Sequence, residues 1–116
     1  MRYILMSNVD GQALGALPPD QHADLFGRFV AFTQALAESG VLRGAEQLEP
    51  ADTATTLRVR DGEAVLTDGP FADVAESFGG FWVVEAPDLD TALGHARACP
   101  GTEVGSVEVR ALTELG

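Results

Sequence analysis

An α+β fold, with the order strand, helix, strand, hairpin, strand, helix, strand, is predicted by three observations in this chain. Leu25, Phe29, Phe32 and Leu36 follow one another at steps of four, three and four residues, which is one face of a helix. Leu89, Ala92, Leu93 and Ala96 repeat that spacing near the other end. Between them, Asp61-Gly62 separates two alternating runs, the signal of a tight β-hairpin. Without the hairpin, a βαββαβ unit remains, the ferredoxin-like arrangement. At 116 residues the chain is one domain, residues 1–116.

The elements follow in order. Tyr3-Ile4-Leu5-Met6 is an apolar run suited to a buried strand. Ser7 to Ala16 carries Asn8, Asp10-Gly11 and Gly15 and reads as a loop. Pro18-Pro19-Asp20 opens the first helix, with Asp20 and Asp24 at the positive end of its dipole. Phe26, Val30 and Ala37 widen its apolar stripe, and Gly40 is its stop. Val41 to Leu48 reads as a strand, broken by Glu49-Pro50-Ala51-Asp52. The hairpin spans Thr55 to Thr67, and Phe81 to Ala86 forms the next strand. Pro87-Asp88 starts the second helix and Pro100-Gly101 ends it. Val104 to Leu112, with Val107 and Val109 alternating, is the last strand.

Two helices cover only one face of such a sheet. The strands Ile4-Leu5-Met6 and Phe81-Trp82-Val83-Val84 are apolar on both sides, so the second face also needs cover. A second copy packed sheet to sheet supplies it, which predicts a homodimer.

Composition removes several classes of function. The net charge is −11, from 18 acidic residues against 7 arginines and no lysine, so the basic footprint of a nucleic-acid binder is missing. The same charge disfavours an anionic membrane surface, and no apolar stretch is long enough to span a bilayer. The lone Cys99 excludes an internal disulfide and a cysteine-only metal site. The apolar run after Met1-Arg2 ends at Met6, too short for a signal core, so a cytoplasmic location is expected.

The densest stretch is Thr67 to Trp82, TDGPFADVAESFGGFW. Asp68 ends a strand; Gly69 accepts positive φ, Pro70 fixes its own φ, and Phe71 is available as an anchor. A short acidic helical segment is expected to follow, with Asp73 and Glu76 at an exposed turn. Gly79-Gly80 then lets the backbone approach something closely before Phe81-Trp82. Phe81 and Trp82 point to opposite faces, one into the core and the other towards the partner sheet or a cleft.

These residues resemble the DGPF signature of the YCII-related (DGPF-domain) family. The likeness extends to Met1-Arg2-Tyr3-Ile4-Leu5-Met6, to Ser39-Gly40-Val41-Leu42, to the hairpin and to Gly105-Ser106-Val107-Glu108-Val109-Arg110. The resemblance implies a dimeric α+β barrel and a His–Asp pair as catalytic dyad. It places the Asp at Asp68 and a histidine near the start of the first helix, where His22 stands. It also implies accessory proteins encoded or fused beside extracytoplasmic-function sigma factors.

The residues carry two readings of each candidate. Asp68 is a site base, or it accepts hydrogen bonds from its own turn. His22 is an imidazole base, or an exposed polar residue beside Asp20 and Asp24. His95 belongs to the second helix edge, and no HxH or HExxH spacing exists, so no metal site is expected. No GxGxxG pattern exists and no lysine follows Gly79-Gly80, so no phosphate-bearing cofactor is expected either. Cys99 stands at the negative end of a helix dipole, a poor setting for a nucleophile. The expected function is a cleft near the DGPF turn that binds or transforms a small organic molecule by metal-free acid–base chemistry. Gly69, Pro70, Phe71 and Trp82 are its binding residues and Asp68 and His22 its catalytic ones. The alternative is a non-catalytic ligand-sensing or sigma-factor accessory module.

Overall fold

Apolar alternation in the strands and the two helical stripes together produce a mixed α+β fold. The computed structural model describes residues 1–69 and 75–115. The Pro70 turn, the Phe71 anchor and the turn expected at Asp73 lie outside the described residues. The elements are β1 (Arg2–Asp10), α1 (Gly11–Gly15), α2 (Pro19–Glu38), β2 (Leu42–Gln47), β3 (Thr55–Arg60), β4 (Glu63–Asp68), β5 (Glu76–Glu85), α3 (Leu89–Ala98) and β6 (Gly105–Ala111).

Four strands pair antiparallel in the order β2-β5-β1-β6, while β3 and β4 form a two-stranded sheet of their own. The hairpin turn is made by Asp61 and Gly62, both at positive φ (52° and 78°), as the twist of a two-residue turn requires. The hairpin stands away from the body. The radius of gyration is 16.1 Å, against about 13 Å for a compact chain of this length.

The core lies on one face of the larger sheet. Strand alternation sends Tyr3 and Leu5 of β1 and Trp82 and Val84 of β5 to that face, against Phe32 and Leu36 of α2 and Ala92 and Ala96 of α3. Leu5 and Val84 are fully buried, each contributing roughly 1.5–3 kcal/mol by removal from water. Ile4, Met6, Phe81 and Val83 point to the opposite face and stay half-buried.

Three expectations need correction. Ser7 to Ala16 is not a loop: β1 continues to Asp10, and α1 follows. β1 is paired on both sides, so its ladders with β5 and β6 outweigh the weak strand preference of Ser7-Asn8. Asp10 then caps α1, its Oδ1 accepting from the N–H groups of Gln12 (3.0 Å) and Ala13 (3.2 Å).

Secondly, β5 begins at Glu76 rather than Phe81, with Glu76 opposite Asp10. Glu76 therefore belongs to the sheet, where its Oε1 accepts from Ser106 Oγ at 2.6 Å. The register shifts opposite Ser7-Asn8, leaving Gly79 as the extra residue of a bulge. A Cβ on Gly79 would come within 2.9 Å of Val9 Cγ2, and one on Gly80 within 3.0 Å of the Glu46 carbonyl oxygen. The close approach that the glycine pair permits is thus to the neighbouring strands.

Thirdly, the buried face of α3 is narrower than the stripe predicts. Ala92 and Ala96 are buried, whereas Leu89 and Leu93 remain about half exposed. The small side chains face the sheet, where Cys99 continues the same face at the helix end. Asp88 caps α3, accepting from Thr91 N–H at 2.8 Å and Thr91 Oγ at 2.7 Å.

Candidate functional site

Helix α2 meets the sheet firmly only along part of its length. Its second half buries Phe32 and Leu36, but towards its start Phe26 is 57% exposed and Phe29 only partly covered. Between this half of α2 and strands β1, β2 and β5 lies a cleft of about 330 Å³, within the range of small-molecule sites.

The walls are mainly apolar and aromatic. Phe26 and Phe29 line one side and Trp82 the other. The Trp82 ring is fixed from three directions. It lies parallel to Phe29 with centroids 6.0 Å apart, meets Phe32 edge-on at 5.1 Å, and donates Nε1–H to Thr33 Oγ1 at 2.9 Å. Thr33 Oγ1 in turn donates to the Phe29 carbonyl at 3.0 Å. The polar residues on the lining are few: His22 on the exposed rim, Ser7 on β1, Thr33 on α2, and Glu46 and Gln47 at the end of β2. No arginine is found among the described residues that line it.

Beside the cleft, a salt bridge ties α2 to the turn after α3. Arg28 of α2 is ion-paired with Glu103 in the turn after α3, its Nη2 donating to Oε1 at 3.1 Å, and its Nε donates to Asp24 at 3.0 Å. Bonding to Arg28 holds the Glu103 carboxyl below the usual carboxylate range.

Of the residues expected to form the site, His22 and Trp82 line this cleft together. Asp68 does not: it ends β4 on the hairpin, solvent-exposed, and its carboxylate makes no hydrogen bond to a described residue. Gly69 does turn the chain at φ 103°; its N–H donates to the Ala54 carbonyl at 2.7 Å and its carbonyl accepts from Thr56 Oγ at 2.9 Å. Cys99 is buried, and that burial pushes its thiol pKa up, against a smaller opposing hydrogen bond from the Gly101 backbone. Among the described residues no three His, Cys, Asp or Glu side chains gather as a metal ion would need, and no helix is long and apolar enough to cross a membrane.

Ser7, Phe29 and Thr33 escaped the sequence reading as site residues. The signal for Ser7 was its parity: Tyr3, Leu5 and Ser7 share one face of a strand, visible once the strand is allowed past Met6.

Comparison with known proteins adds the following. A family model described as YCII-related domain matches residues 1–116. An uncharacterised protein of Rhizobium meliloti (strain 1021) is 34% identical over 116 residues, covering 97% of this chain and 92% of that one. Among solved structures, the 5-chloro-2-hydroxyhydroquinone dehydrochlorinase of Burkholderia phenoliruptrix AC1100, in complex with 2,5-dihydroxybenzoquinone, superposes with a TM-score of 0.56. That match has 15% identity and covers 97% of this chain and 94% of that one. At that identity the match speaks for a shared fold.

Proposed function

The chain belongs to the YCII-related domain family, and we propose that it is a homodimer of ferredoxin-like subunits that binds a small, uncharged aromatic molecule in the cleft beneath α2. The observation that carries this reading is the lining: aromatic walls, few polar groups and no arginine. A flat ring gains from burial against Phe29 and Trp82, whereas a phosphate or carboxylate finds no arginine to pair with there. The dehydrochlorinase that shares the fold is itself bound to a hydroxylated ring compound.

In this reading His22 is the acid–base group. It stands on the rim, reachable by a substituent of a ring held in the cleft and by solvent. Asp68 is outside the lining of the same chain, so the reading gives His22 the proton transfer without a dyad partner from its own subunit.

The homodimer rests on two apolar surfaces that one chain leaves uncovered. Ile4, Met6, Phe81 and Val83 form a half-buried stripe on the helix-free face of the sheet. On the hairpin, Leu57, Val59 and Leu66 are 59%, 61% and 69% exposed and share one face. The strand order β2-β5-β1-β6 supports the ferredoxin-like reading of the subunit.

The test uses the chain's single tryptophan. Phenol is titrated into isotope-labelled protein and the one indole N–H resonance is followed. Binding in the cleft shifts that resonance saturably, and His22→Ala leaves binding in place while removing any proton-transfer activity found by screening. An indole resonance that phenol does not move overturns the reading.

A further inference from the structure

We propose that Gln47 is a ligand-positioning residue: its side-chain amide hydrogen-bonds a hydroxyl group carried by the aromatic ring that the cleft takes, at the end of the cleft where His22 stands. The proposal rests on the cleft reading above and deepens it, because it narrows the ligand to a phenol-like ring rather than a bare hydrocarbon one.

Gln47 is the last residue of β2, and the ladder register fixes which side of the sheet it faces. Ala45 pairs with Trp82, and Gln47 with Gly80. Trp82 belongs to the helix-covered core, and Ala45 packs against that core. Alternation therefore turns Gln47, two residues on, to the helix-covered face, and turns Glu46 with Phe81 to the other. Its place along the cleft follows from the run of the chain. Val41, just before β2, donates its N–H to the Leu36 carbonyl near the end of α2. Trp82, across from Ala45, meets Phe29 and Thr33 further back along the helix. Each step towards the end of β2 thus runs towards the start of α2. Gln47 and His22 share one end of the cleft that both line.

The other polar side chains of the lining are committed elsewhere or turned away. Thr33 Oγ1 accepts from Trp82 and donates to the Phe29 carbonyl. Ser7 is 3% exposed and its Oγ is buried, beyond the reach of a molecule in the cleft. Glu46 faces the opposite side of the sheet. The Gln47 side chain is exposed and makes no hydrogen bond to a described residue. Its amide both donates and accepts, so it can serve either partner role of a hydroxyl group. Gly80, across the ladder, has no side chain to stand between Gln47 and the middle of the cleft floor. Gln47 lies two strand residues, about 7 Å, from the level of Trp82. A ring held against Trp82 therefore carries a substituent towards the amide, at the end where His22 supplies acid–base chemistry.

The experiment compares full-length wild-type protein with Gln47→Leu and Gln47→Glu, using two probes of one ring size: phenol and toluene. Dissociation constants are read from the Trp82 indole N–H resonance, and stability from the urea midpoint. Gln47→Leu keeps the length of the side chain but removes the amide. Loss of one neutral hydrogen bond predicts that it weakens phenol by roughly two- to tenfold, with toluene bound as tightly as before or more so. Gln47→Glu keeps an acceptor for the hydroxyl and should hold phenol close to its wild-type affinity. The urea midpoint stays the same in both variants, because the side chain is exposed and makes no bond to a described residue. Equal effects on both probes, no effect on phenol, or a loss of phenol in Gln47→Glu as large as in Gln47→Leu each overturn the role of Gln47 while leaving the cleft reading intact. If neither probe moves the wild-type indole, the cleft reading fails and the Gln47 proposal fails with it.

Discussion

The hydrogen bond from Trp82 to Thr33 joins the core to the cleft, and its contribution can be isolated by a double-mutant cycle. Thr33→Val is close to isosteric and keeps β-branching, so the α2 backbone barely notices it. It does remove the acceptor 2.9 Å from Trp82 Nε1, leaving the indole N–H of a residue only 7% exposed without a partner. An orphaned buried donor costs about 1–3 kcal/mol. Trp82→Phe removes the donor instead. Its ring can still stack on Phe29 and meet Phe32, and Thr33 Oγ1 keeps its own bond to the Phe29 carbonyl. The cost there is one hydrogen bond of about 1 kcal/mol plus the volume of the lost ring, of similar size. In the Trp82→Phe background, Thr33→Val strands no donor and should cost little. The cycle therefore predicts a coupling energy of about 1–2 kcal/mol. Urea unfolding reads it directly, since such a change moves the midpoint by roughly 0.5–1 M at a typical slope. Strictly additive single-mutant effects would mean that the bond does not form in solution and that the Trp82 wall is held by stacking alone.

Further outcomes follow from the same structure. Gly80→Ala should destabilise by about 1–3 kcal/mol, because its Cβ presses on the rigid Glu46 carbonyl. Gly79→Ala should cost less, because its Cβ meets the Val9 side chain, which can turn; equal costs in thermal melts would contradict this. Asp88 and Glu103 have carboxyls held below their ordinary range, by bonds from Thr91 and from Arg28 respectively. Their contribution is complete above the unfolded-state values of roughly 4 and is lost as pH falls through the lowered folded-state values. Asp88→Asn with Glu103→Gln should therefore flatten the fall of the urea midpoint below that pH, and an unchanged acid limb would refute the pairing. Light scattering coupled to size exclusion should give twice the chain mass, and a stable monomer at micromolar concentration would sink the dimer.

Much of the fold was legible because local signals and tertiary demands agree. The α2 stripe names its buried residues Leu25, Phe32 and Leu36 directly, and Asp61-Gly62 fixes the hairpin by backbone sterics alone. Errors fell where pairing overrides propensity. Ser7, Asn8 and Gly79-Gly80 are poor strand formers, but they lie in the two central strands, Ser7 opposite Gly80 and Gly79 in the bulge beside them. The candidate cleft was legible only through two of its lining residues. His22 and Trp82 stand out as chemically rich residues, and the cleft gathers both. The cleft itself is a gap between α2 and the sheet, lined by Phe26 and Phe29 from the helix and by Gly79-Gly80 from the sheet, and no local pattern encodes that spacing. Asp68 stands out in the sequence for its turn, yet it ends on an arm whose position relative to the body depends on long-range packing.

The central claim is that the ligand site lies beneath α2 rather than at the hairpin turn. A crystal structure of the protein soaked with hydroquinone tests it most directly. The account predicts a ring against Phe29 and Trp82. A ring bound at the hairpin beside Asp68, with the cleft beneath α2 empty, would contradict it.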